Sequence, residues 1–229
     1  QVAVNGWSYG GETALMEDGA RLDPTDFDDW CKANIEYAEY PDSDCISVLD
    51  NLDELAEMAG LDAIPDGLWP VWADPRVDAS VALAPSVGMI GSSGMQAVDS
   101  PAMLIVGSDD MIIGSAYQEQ DPYTLIEDTA KVEVVFEGAD HFIFRNKCDA
   151  TPDLVDMVLH LLCSDPIWDL DRAHDLTHHF GTAFMLAELK GDLAAAEALA
   201  PESVDFPGIE YQAEGYDVAG ANFDPELAA

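Results

Sequence analysis

Val2-Ala3-Val4-Asn5-Gly6-Trp7-Ser8-Tyr9-Gly10-Gly11, followed by Glu12-Thr13-Ala14-Leu15-Met16, is the stretch on which the reading of this chain turns. Val2 to Asn5 form a short β-prone run. Gly6 to Gly11 spell G-x-S-x-G with one further glycine, and Glu12 to Met16 read as the first turns of a helix. Strand, sharp turn and helix in that order are the setting in which such a serine acts as a nucleophile. The turn projects Ser8 above the end of the strand, and Gly6, Gly10 and Gly11 are expected to let strand and helix approach closely. A serine hydroxyl attacks only when a base takes its proton, so the pattern calls for two partners later in the chain. The backbone N–H of Tyr9, at the start of the helix, is the expected donor to a developing oxyanion. Trp7 is a candidate for lining a substrate pocket, with ordinary packing as its alternative.

Working outward, strand and helix signals alternate. Val77–Ala84, "VDASVALA", is a strand candidate followed by a Gly/Ser-rich loop. Ala102–Val106, "AMLIV", is a continuous apolar run between Pro101 and Gly107, as expected for a strand buried on both faces. Tyr123–Thr129 reads as helix and Lys131–Phe136, "KVEVVF", as a further strand. The alternation predicts an α/β fold, a mostly parallel sheet flanked by helices. Residues 23–72, rich in Asp, Pro and aromatics, read as an insertion from the sheet. Residues 153–200 carry apolar positions at helical spacing, and the stretch after Pro201 reads as extended or loosely ordered.

The partners follow from position. A carboxylate just past a strand can orient an imidazole, and "GSDD" after "MLIV" offers Asp109 and Asp110, which spacing alone does not separate. His141, in "EGADHF" directly after "KVEVVF", occupies the loop that suits a general base. His160, His174, His178 and His179 fall in the helical region. Adjacent positions on a helix point to different faces, so His178 and His179 do not make a metal site.

The elbow "GWSYGG", the segment "DPRVDASVALAP", the loop "LIVGSDD" and the loop "GADHF", in this order, resemble the α/β-hydrolase superfamily. Within it they are similar to dienelactone-hydrolase-like proteins and platelet-activating-factor acetylhydrolase-like serine esterases, over roughly residues 1 to 200. The stretch "WDLDRAHDLTHHFGTAFMLAELKGD" resembles the C-terminal helices of secreted members. In those families the acid follows a G-x-x-D spacing, which lands on Asp110. The resemblance implies a Ser8–Asp110–His141 triad cleaving a small-molecule or lipid ester through an acyl-enzyme, with no metal or organic cofactor. In the family several strands precede the nucleophile strand, and a loop among them gives the second oxyanion donor. This chain begins inside the nucleophile strand, so residues 1–229 are expected to be a partial α/β-hydrolase domain. Dienelactone hydrolysis itself is associated with a cysteine nucleophile, and position 8 is serine. A peptidase of the same fold and a catalytically inert hydrolase-fold binding module are the alternatives.

Composition narrows the partners. The chain holds 46 acidic and 8 basic residues, a formal charge of -38, spread along its whole length. So few cations leave almost nothing to neutralise phosphates, which excludes nucleic acid. So acidic a coat repels itself unless cations screen it, which points to a high-salt environment. No run approaches the roughly 18 apolar residues of a membrane span, and Gln1–Val4 lacks a basic leader. Cys31 with Cys45 and Cys148 with Cys163 fall into two local pairs that suggest two disulfides, and hence a secreted or extracytoplasmic protein; buried free thiols are the alternative.

Overall fold

The computed structural model describes residues 1–34, 44–113, 121–150, 153 and 162–216. Five strands form one sheet: β1 (Ala3–Trp7), β2 (Ala79–Leu83), β3 (Ala102–Gly107), β4 (Lys131–Phe136) and β5 (Ile209–Glu214). They lie in the order β1-β2-β3-β4-β5, the first four parallel and β5 antiparallel to β4. The fold is therefore α/β with a mostly parallel sheet, as the alternation predicts.

Side chains on successive strand positions point to opposite faces, and here both faces are covered. Met103 and Ile105 of β3, with Val81, Val132, Val134 and Phe136, enter one core. Leu104 and Val106 enter the other, with Ala82, Leu15, Ile90 and Met95. That two-sided burial is why "AMLIV" shows no polar alternation. The second core lies under α1 (Tyr9–Glu17). Beyond it come α2 (Pro24–Ala33) and shorter helices at Asp44–Leu49, Leu52–Met58 and Gly91–Met95. The insertion at 23–72 thus contributes helices and no strand among the described residues. The helix expected at Tyr123–Thr129 is a single turn, Pro122–Leu125.

The first core is closed by α3 (Leu170–Lys190), which buries Leu170, Ala173, Leu176, Phe180, Ala183, Phe184 and Ala187 at helical spacing. Asp169 caps its start by accepting from the Arg172 N–H. At its end Gly191, at φ 62°, turns the chain while its N–H and that of Asp192 return to the carbonyls of Ala187 and Leu186. Phe180 is fully buried against Phe206 and Tyr211, so Phe180→Ala is expected to cost about 3–5 kcal/mol. Asp192 then caps α4 (Leu193–Ala198).

The stretch after Pro201, expected to be extended or loosely ordered, is extended at β5. "IEYQAE" alternates half-buried Ile209, Tyr211 and Ala213 with exposed Glu210, Gln212 and Glu214, and Gln212 donates to Glu133 across the ladder at 2.6 Å. The period-2 pattern is present in the sequence; Gly208, at φ 81°, supplies the turn into it. The helix expected over 153–163 lies almost wholly outside the described residues, and His160 with it. Two disulfides close the pairs Cys31–Cys45 and Cys148–Cys163. Each crosslink of a loop of 14 or 15 residues stabilises by about 3 kcal/mol in the chain-entropy account. Among the described residues, no helix is long and apolar enough to cross a membrane.

Candidate active site

Parallel strands run in one direction, so the loops after β1, β3 and β4 meet at one end of the sheet. Ser8 follows β1, Asp110 follows β3, and His141 opens a 3₁₀ turn (His141–Phe144) after β4.

Ser8 sits in a backbone conformation that L-residues avoid, φ 60° and ψ -125°, at a cost of about 1–3 kcal/mol. The turn is held by its surroundings. The Ser8 N–H donates to the Leu83 carbonyl at 2.8 Å, fixing the elbow to the end of β2, and the Ser8 carbonyl accepts from Gly11 and Glu12. A Cβ on Gly6 would lie 2.0 Å from the Gly10 carbonyl oxygen, and one on Gly11 would crowd the Leu83 carbonyl and Pro85. Gly6 is a steric necessity, whereas at Gly11 a side chain would need its neighbours to give by a few tenths of an ångström. At Gly10 a Cβ meets nothing within 4 Å. The expected close approach exists, but Gly10 contributes its backbone and not the absence of a side chain.

The three candidate side chains are brought together. The Ser8 hydroxyl lies 3.0 Å from His141 Nε2, and His141 Nδ1 lies 2.7 Å from Asp110 Oδ2. Because a carboxylate accepts and does not donate, Nδ1 carries the proton and Nε2 is left as acceptor for the serine O–H. Asp110 is 3% exposed and His141 2%. Asp110 does not rely on the imidazole alone, since its Oδ1 accepts from the N–H groups of Ile112 at 2.9 Å and Ile113 at 3.0 Å. Of the two aspartates in "GSDD", Asp110 is the one hydrogen-bonded to His141. Asp109 is exposed, accepts from the Ser108 hydroxyl and does not face His141.

Supports around the imidazole carry weaker sequence signals. Trp7 donates from Nε1 to the His141 carbonyl at 3.2 Å, and its ring lies 5.1 Å from the imidazole. It therefore holds the histidine backbone, a role not contained in the expectation that it lines a pocket. Asp140 accepts from the His141 N–H at 2.6 Å, and Asp165 accepts from the Asp140 N–H at 2.9 Å. Arg145 lies over the rings of Trp7 and Phe142 at 5.8 and 5.6 Å, within reach of cation–π attraction. Asp140 and Arg145 flank His141 in sequence, which is the one signal that could have drawn attention to them.

Tyr9 is the first residue of α1 and Glu12 lies in its first turn. The first N–H groups of a helix lack intrahelical partners and bear the positive end of its dipole, so this end of α1 suits an anion at Ser8. His178 and His179 are exposed on α3. No group of three or more metal-ligating side chains occurs among the described residues. An activated hydroxyl, a base fixed in one tautomer and a helix N-terminus can together support nucleophilic attack on a carbonyl. No protein-family model matches the chain, and no curated protein matches it in sequence.

Proposed function

We propose that this protein is a serine carboxylic-ester hydrolase of the α/β-hydrolase type, working through an acyl-enzyme. The hydrogen-bonded series from Ser8 through His141 to Asp110, with distances of 3.0 and 2.7 Å, is the observation that carries the reading. The strained backbone at Ser8 supports it, because strain of this kind persists where the surrounding structure enforces it.

In this reading the Ser8 Oγ attacks the ester carbonyl carbon while His141 Nε2 takes the hydroxyl proton. Asp110 stabilises the resulting imidazolium and keeps its ring in place. The carbonyl oxygen becomes an oxyanion facing the N-terminus of α1, where the Tyr9 N–H donates. Collapse breaks the ester C–O bond, and His141 returns its proton to the departing alcohol. Water then attacks the acyl-Ser8 carbonyl, giving a proton to His141. The second collapse frees the acid and restores the serine O–H. No step calls for a metal or an organic cofactor.

The two disulfides support an oxidising, extracytoplasmic compartment. The formal charge of -38 supports work in high salt, where cations screen its self-repulsion. A melting temperature that rises between dilute buffer and molar potassium chloride agrees with that setting, and one that does not rise contradicts it.

Turnover of p-nitrophenyl acetate in high salt tests the catalytic reading. Hydrolysis by the wild type and none above background in Ser8→Ala is the expected result. Equal rates for the two, or no turnover by a folded wild type, would favour an inert binding module.

A further inference from the structure

We propose that Asp165 is a positioning residue for His141, acting through the backbone of the preceding Asp140 and held at its post by the Cys148–Cys163 disulfide. The inference rests on the catalytic reading of Ser8 and His141 and deepens it, since it names what fixes the base of that same site.

A general base works only while its ring stays within hydrogen-bond reach of the hydroxyl. Asp110 orients the His141 ring, so the backbone that carries the ring decides where Nε2 comes to rest. The half-buried Asp165 carboxylate accepts three backbone N–H groups. Its Oδ1 takes those of Ile167 at 2.9 Å and Trp168 at 2.8 Å, which closes a local turn. Its Oδ2 reaches 25 residues back to the Asp140 N–H at 2.9 Å. Asp140 in turn accepts the His141 N–H on its own side chain. Asp165 therefore grips the residue immediately before the base.

That grip is one part of a larger clamp. Ahead of the His141 turn, Trp168 donates from Nε1 to the Glu137 carbonyl at 2.9 Å and packs on Phe136 at the end of β4. Behind it, His174 donates from Nε2 to the Arg145 carbonyl at 3.0 Å, and the disulfide joins Cys148 to Cys163. Residues 163–174, which lead into α3, thus bracket the turn from both sides. Cys163 lies just ahead of Asp165 in the chain, so the covalent bond limits how far that carboxylate can draw back from Asp140. The other disulfide, Cys31–Cys45, packs with Phe27 inside the insertion.

The test follows fluorophosphonate labelling in high salt, where the final extent counts competent sites and the rate constant reads the activation of Ser8. Asparagine keeps one acceptor oxygen, enough for the local turn but not for Asp140 as well. Asp165→Asn should label to the wild-type extent with a rate constant about tenfold lower. On an Asp110→Asn background, where the base is already misplaced, the same change should cost less than about twofold. Replacing Cys148 and Cys163 by serine should slow labelling by about fivefold, and replacing Cys31 and Cys45 should leave the rate constant within about twofold, although both bonds close loops of similar length. A wild-type rate constant in Asp165→Asn overturns the proposal. So does a reduced extent at an unchanged rate constant, an undiminished effect on the Asp110→Asn background, or equal slowing on loss of either disulfide. Hydrogen exchange of the Asp140 amide reads the clamp without catalysis. A wild type that takes no label, while that amide exchanges faster in Asp165→Asn, would sink the catalytic reading and leave the clamp standing.

Discussion

Two aspartates are buried at opposite ends of the sheet, Asp110 at 3% and Asp18 at 2% exposure, and the protein treats them differently. At the carboxyl end of the strands, Asp110 receives the Nδ1–H of His141 and two backbone N–H groups. At the amino end, where α1 finishes, Asp18 accepts from the Ser80 hydroxyl at the foot of β2. Its Oδ1 has no donor in hydrogen-bonding geometry. Burial pushes the Asp18 carboxyl up to about 7, aided by the charge of Asp99 and only partly offset by Ser80 and by nearby Ser100. Equal burial therefore does not imply equal chemistry. Asp110 is given three donors, one of them the imidazole, whereas Asp18 is buried with too little hydrogen bonding to offset the loss of water and keeps its proton up to about pH 7.

Exchanging charge for an amide at each end should separate the two. Asp110→Asn offers His141 Nδ1 a donor in place of an acceptor and favours the wrong tautomer. Ester hydrolysis should fall by about 10⁴-fold, in the manner of a triad that has lost its acid, with the far-ultraviolet spectrum unchanged. A loss below about tenfold would mean that Asp110 does not orient the base.

Asp18→Asn should leave catalysis near wild type and alter stability instead. The folded-state value of about 7 lies above the ordinary value of 3.8. The native state therefore holds a proton that the unfolded chain has lost, and stability falls as pH rises from about 4 to about 7. Wild type should lose a few kcal/mol over that window at fixed high salt beyond what Asp18→Asn loses, because the amide does not titrate. Denaturant midpoints at pH 5 and pH 8 read the difference. Parallel pH profiles for the two proteins would show that Asp18 is ionised in the fold.

The smallest expected effect lies at the elbow. Ser8→Ala keeps a Cβ at φ 60°, and Ser8→Gly removes it. Both should be inactive, with the glycine variant the more stable by about 1 kcal/mol, seen as a melting point a few degrees higher. An alanine variant at least as stable would deny that the backbone at position 8 is strained.

The carboxyl end was more legible in the sequence than the amino end, and the reason is physical. G-x-S-x-G and the acid and histidine loops are local patterns fixed by what a sharp turn and a strand end demand. Asp18 and Ser80 are 62 residues apart and are joined only by packing. Nothing in "MEDGA" or "DASVA" signals burial of a charge. Family spacing favours Asp110 over Asp109, and in the structure Asp110 is the one that accepts from His141, Ile112 and Ile113. The sequence marks Trp7 as a pocket candidate but not its hold on the His141 carbonyl, which is a contact across 134 residues. Asp140 and Arg145 carry no motif, the first acting on the adjacent His141 N–H and the second on the rings of Trp7 and Phe142. Strand β5 is legible in the alternation of "IEYQAE", and the Pro207-Gly208 pair before it marks its entry without disrupting its pairing with β4. Gly10 was over-read. The motif contains it, yet space at that position is open.

The central claim is that Ser8 is an activated nucleophile, and reaction with a fluorophosphonate followed by peptide mass mapping addresses it most directly. The account predicts one phosphonyl group, on the peptide carrying Ser8 in folded wild type, with none in Ser8→Ala and slow labelling in Asp110→Asn. A folded wild-type chain that takes up no label, or takes it up on another residue with Ser8 untouched, would contradict it.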